Sequence, residues 1–190
     1  MSEAPARPGM RPSVLKEDAR RTGEAVDTQF ERLLLEHGAA LTRLAGAYAA
    51  LKVDRDDLFQ EILFAIWRAL PTFRGDCSER TFVFRIAHNR ALTHRKQRRF
   101  AFWTAVSDFW PDPRPDPAAE ATRRGRHERL MAAVRQLSPA SRQVVLLHLE
   151  EFTNGEIAET LGVSANSVAI RLTRARRQLR ALLGEEEAET

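Results

Sequence analysis

The chain has 190 residues, of which 43% are hydrophobic, enough to build packed cores in one large or two small domains and to exclude a wholly disordered chain. Thirty Lys and Arg against 26 Asp and Glu leave a net charge of +4, gathered in blocks rather than spread evenly. The single cysteine, Cys77, excludes an intramolecular disulfide and a Cys/His metal cluster; residues 1–30 lack the apolar core of a secretory signal, and no uncharged run reaches the ~20 residues of a membrane span. These features predict a cytoplasmic protein without membrane insertion, metal or cofactor.

Residues 1–26 are rich in Ala, Pro, Arg and Glu without periodicity, and are expected to form a flexible arm. From Thr28 the residues Phe30, Leu33, Leu34, Leu41, Leu44 and Ala45 recur at helical spacing, with Gly38 as a weak point. Asp54 to Leu70 reads as the next helix, with acids in its first turns and Pro71 just past its end. Its apolar stripes include Leu58, Ile62, Ile66, Phe59, Leu63 and Trp67, and leave Asp57, Gln60, Glu61 and Arg68 on the polar side. Phe73 to Arg80 follows as a loop hinged at Gly75.

The helix from about Thr81 has unequal faces. At 100° per residue, Arg85, His88, Asn89, Lys96 and Arg99 share an arc of about 100°, opposite Val83, Ile86, Ala87 and Ala91. Arg85, Arg90, Arg95, Lys96, Arg98 and Arg99 bring no acid among them, a density suited to neutralising phosphates. Phe100, Phe102, Trp103 and Trp110 either stack on bases or pack in the linker.

Four prolines between Pro111 and Pro117 forbid helix interior and divide the chain. The expected architecture is all-α: a helical unit at 27–100, a linker at 101–126, a second unit at 127–184 and an acidic tail at 185–190.

In the second unit a helix from about His127 ends at Leu137. Ser138-Pro139 then caps and starts another, which runs to Glu150. Thr153 and Glu156 form a capping box, Gly162 closes the short helix in a left-handed conformation, and Ser164 caps the last helix, from Ala165 to Leu183. This is the punctuation of a helix-turn-helix, with small Ala158 at the crossing and Ile157, Leu161, Val163, Val168 and Leu172 between the helices. The last helix would present Ala165, Asn166, Ser167, Ile170, Arg171, Arg174 and Arg176 to DNA. The five histidines are isolated, and neither a glycine-rich phosphate loop nor a nucleophile-base motif is present, so the sequence offers no case for an enzyme.

DRDDLFQEILFAIWRALPTFRGDCSERTFVFRIAHNRALTHRKQRR resembles the second region, and LSPASRQVVLLHLEEFTNGEIAETLGVSANSVAIRLTRARRQLRALL the fourth region, of the extracytoplasmic function sigma factors of bacterial RNA polymerase. The resemblance implies a protein that binds core polymerase, recognises two promoter elements and opens the DNA. It further implies that Asp57, Gln60 and Glu61 dock the clamp of the large subunit, with the flap as a second contact. The loop Phe73, Arg74, Gly75, Asp76 would capture a flipped base of the melted non-template strand. Arg85, His88, Asn89, Lys96 and Arg99 would serve the minus-ten element, and the final helix would read double-stranded promoter DNA at the minus-thirty-five element. Regulation would come from a separate anti-sigma factor or from expression level. A stand-alone helix-turn-helix regulator is the competing reading. The chain departs from the family pattern at Ala169 and Ile170, where a basic residue and a serine are common, and at Phe82 and Thr93, where tryptophan and aspartate are usual.

Overall fold

Helix-forming residues dominate the chain, and the computed structural model, which describes residues 12–104 and 123–187, contains only helical elements there. They are α1 (Pro12–Tyr48), α2 (Lys52–Ala69), a 3-10 turn (Leu70–Thr72), α3 (Glu79–Thr104), α4 (Arg123–Gln136), α5 (Pro139–Leu149), α6 (Asn154–Leu161) and α7 (Ala165–Glu187). The all-α architecture is as expected.

Two boundaries move. The helix α1 begins at Pro12, so much of the arm expected to lack structure has helical backbone, and it continues through Gly38 without a break. Proline suits the first turn of a helix, and the residues that follow it are mostly good helix formers. Likewise α3 continues to Thr104 and α4 starts at Arg123, so helix enters both ends of the 101–126 interval. The proline cluster and Trp110 lie outside the described residues, as do the side chains of Phe100, Phe102 and Trp103.

The first three helices bury Leu33, Leu41, Leu44, Leu58, Ile62, Ile66, Val83, Phe84 and Ala87 against one another. Glu79, in the first turn of α3, ties that helix to α1: both its oxygens accept from Arg32 Nη2, at 2.8 and 2.6 Å, and Oε1 also accepts from Gln29 at 2.8 Å. The Arg32 guanidinium holds the Glu79 carboxyl below its ordinary range.

The second unit matches its punctuation closely. Ser138 caps α5 by accepting from the Ser141 amide at 3.2 Å, with Pro139 in the first turn. Both bonds of the Thr153–Glu156 box form, and the Thr153 amide and hydroxyl, both donating to Oε2, hold the Glu156 carboxyl below its ordinary range. Gly162 closes α6 at φ 65°, a conformation only glycine adopts freely, and Ser164 caps α7 through the Ser167 amide at 3.2 Å.

Arg142 is a buried charge in this unit. Its guanidinium donates to the carbonyls of Val134, Arg135 and Leu137 at the C-terminal end of α4, and so it works as a side-chain cap. Burial pushes this guanidinium down to about 10.

The two units share one continuous core. Phe152, 3% exposed, sets its ring edge-on to Phe84 of α3 at 5.1 Å, and the Arg80 guanidinium covers its other side at 4.0 Å. Arg43 of α1 forms a bidentate pair with Glu150 at 2.8 and 2.7 Å, while Arg80 donates to the Glu150 carbonyl. Arg135 donates to the Gly46 carbonyl at 3.0 Å, and Arg142 sits over the Tyr48 ring at 5.2 Å.

Candidate polymerase and nucleic-acid interfaces

Asp57, Gln60 and Glu61 lie on the polar side of α2 and line one groove with His94, Gln97 and Arg98 of α3. Asp57 and Gln60 are exposed. Glu61 is not free: Arg90 donates to its Oε2 at 3.0 Å, and His94 Nδ1 lies 3.0 Å from the same oxygen. Asp54 is paired to Arg98 at 2.6 Å, so α2 and α3 are stitched together by charge along this groove. The same helix exposes Phe64 and Trp67, stacked at 6.2 Å, and Trp67 Nε1 donates to Asp27 of α1.

The loop after α2 is held at both ends and open in the middle. The Phe73 amide bonds Leu70, its ring rests on Phe82 at 4.8 Å, and Ser78 caps α3 through the Thr81 amide at 3.0 Å. Between these anchors Arg74, Gly75 and Asp76 are exposed, with Gly75 at φ 79° making the reversal.

The basic face of α3 is only partly presented. Asn89 and Lys96 are exposed, and the Arg99 side chain lies outside the described residues. Arg85 is half-buried and donates to the Glu159 carbonyl of α6 at 3.0 Å. His88, expected on this face, is buried at 1% exposure beside Tyr48, whose hydroxyl is 3.4 Å from its Nδ1. Desolvation pushes its imidazole down to about 3, so it is held neutral. The reason is packing: α1, α2 and α6 all contact α3, so its buried arc is wider than a helix with one core face would have.

On α7, Ala165, Asn166, Ile170 and Arg174 are exposed and Arg171 half-exposed. Ser167 is taken up by the cap, its hydroxyl 2.9 Å from that of Ser164. Arg176 lies further along and donates to His148 Nε2 of α5 at 2.8 Å.

The sequence reading missed Arg43, Arg80, Glu150 and Phe152. Their placement rests on the end of α5, where the Phe152 amide bonds the Leu147 carbonyl and the Glu151 amide the His148 carbonyl, both at 3.1 Å. This is a Schellman turn, and its left-handed position is filled by Glu151 at φ 62° instead of the usual glycine. A glycine would have signalled it.

Comparison with known families matches residues 33–101 to sigma-70 region 2 and residues 127–179 to sigma-70 region 4, together more than half the chain. The RNA polymerase sigma factor NccH of Alcaligenes xylosoxydans xylosoxydans is 32% identical over 178 residues, covering 90% of this chain and 96% of that protein. CnrH of Cupriavidus metallidurans, also an RNA polymerase sigma factor, is 30% identical over 81% of this chain and 86% of its own. Among solved structures, CnrH in complex with the cytosolic domain of CnrY superposes with a TM-score of 0.64 at 28% identity, covering 88% of this chain and 95% of that one. The sigma factor RpoE of Bartonella quintana, in complex with the anti-sigma factor NepR, shares the fold at a TM-score of 0.66 and 21% identity, covering 82% and 97%. With both sigma regions in order and NccH matched over nearly its whole length, the chain belongs to the sigma-70 family and is an extracytoplasmic function sigma factor of RNA polymerase.

Proposed function

We propose a division of labour among the faces described above. Asp57 and Gln60, with Glu61 fixed beside them by Arg90 and His94, dock the clamp of core polymerase. Arg74, Gly75 and Asp76 receive a base extruded from the melted non-template strand, and Asn89 and Lys96 hold the strand beside it. The exposed face of α7 enters the major groove at the upstream element. Sigma factors are not enzymes, and no described helix is long and apolar enough to cross a membrane; the work is done in the cytoplasm, where polymerase and promoter are.

The observation that carries this reading is the placement of Asn166, Ile170 and Arg174 on the solvent face of a capped second helix, with the acidic groove and the open loop on the other unit. It also requires movement. Elements some 25 base pairs apart are separated by roughly 85 Å at 3.4 Å per pair. In the packed arrangement Arg85 of α3 is hydrogen-bonded to α6. The two units therefore separate before both elements are engaged, and an anti-sigma factor that holds them together, or covers the α2 groove, would silence the protein.

The test combines the protein with core polymerase lacking any sigma factor and genomic DNA fragments, and maps the 5′ ends of the transcripts. Defined starts preceded by two spaced motifs are expected. Binding to palindromic DNA without polymerase, and no new starts, would overturn the proposal in favour of a stand-alone regulator.

A further inference from the structure

The solvent face of α7 has an apolar residue at its centre. Val168, Leu172 and Ala175 are buried and Leu179 packs against the core. At 100° per residue, Ile170 lies within about 20° of the direction opposite that buried stripe. It is 44% exposed and belongs neither to the core nor to the residues packed on it. Asn166 precedes it by one turn and Arg174 follows by one, both exposed. Thr173, exposed on the same face, spends its hydroxyl on the Ala169 carbonyl at 3.0 Å. Ala169, at the shoulder of the stripe, adds no bulk to hold the helix away from a groove.

We propose, resting on the use of α7 assigned above, that Ile170 recognises a thymine of the upstream element through that base's C5 methyl group. In the major groove the thymine methyl is the one apolar feature among the base edges, which otherwise offer donors and acceptors. A branched side chain with one favoured rotamer in a helix presents its methyl groups in a fixed place, so the contact costs little ordering. Asn166 and Arg174, on either side, carry the hydrogen-bonding groups suited to adenine and guanine edges.

The experiment uses holoenzyme reconstituted with core polymerase and a promoter identified by its mapped start. Each thymine of the upstream element is replaced in turn by deoxyuridine, which deletes only the methyl group, and the rate of open-complex formation is measured. One position is expected to lose about fourfold, the effect of burying one methyl group less. With Ile170→Ser that position becomes insensitive, while with Ile170→Val it stays sensitive, and both variants start at the wild-type position. Defined starts with no methyl-sensitive thymine, or a sensitivity that survives Ile170→Ser, overturn this reading alone. Absence of any defined start overturns the proposed function, and this reading with it.

Discussion

The two helices proposed to read DNA stand in opposite states. α7 meets solvent with Asn166, Ile170 and Arg174 free of the rest of the protein, whereas α3 has lost His88 to the interior and given Arg85 to a carbonyl of α6. Local chemistry accounts for the first: a capping box, a left-handed glycine and a serine cap fix the helix-turn-helix whatever surrounds it. The second depends on tertiary neighbours: His88 is covered beside Tyr48 of α1, while Arg80 and Arg85 are held by carbonyls of Glu150 and Glu159 in the other unit. A reading helix set by local caps keeps its form in every state of the chain; Arg85 of α3, held by a carbonyl of α6, is freed only when that neighbour leaves.

The strongest way to break this contrast is at Arg142, which serves both α4 and the unit interface. Arg142→Met would remove the guanidinium that donates to the carbonyls of Val134, Arg135 and Leu137, and with it the cation above Tyr48. A loss of about 3 kcal/mol is expected by urea denaturation, and a loss under about 1 would show that water replaces the guanidinium.

A smaller effect comes from His88, and its sign follows from its burial. The unfolded chain takes up a proton below about pH 6.5, while the folded chain resists until about 3, so stability falls as pH drops through that window. The slope approaches about 1.4 kcal/mol per pH unit, or 2 to 3 kcal/mol between pH 6.5 and 4.5. His37, also pushed down by burial, adds in the same direction. His88→Leu should flatten the profile in that window, and an unchanged slope would assign it to other groups.

The smallest effect sharpens the contrast. Glu151→Gly relieves a left-handed residue at the end of α5 and is expected to raise stability by about 0.5 to 1 kcal/mol, read as a rise in melting temperature. No gain would mean that the glutamate side chain compensates for its backbone.

The same division explains what could be read from the sequence. Ser138, Thr153, Glu156, Gly162 and Ser164 each act within three or four residues of themselves, and every one of them performs the expected role. The stripe of α2 was likewise legible from its spacing, with Leu58, Ile62 and Ile66 buried. His88 was misplaced because a helical wheel knows one buried face, and α3 has neighbours on three sides. Glu61 shows a milder version: its position on the polar side is right, but spacing along α2 carries no information about Arg90 and His94. Glu150 and Phe152 left no trace, since their orientation comes from a turn whose left-handed residue is a glutamate.

The seam formed by Arg43, Arg80, Glu150 and Phe152 has one more consequence. Any ligand that holds only the separated units lowers the work left for a second such ligand, and by linkage the help is reciprocal and equal in free energy. On the proposed assignment, polymerase on one unit and promoter DNA on the other become allies across a contact that neither touches. On that assignment the closed seam would make DNA reading by the isolated chain weaker than by the assembled holoenzyme, and turn two separate affinities into a single cooperative one.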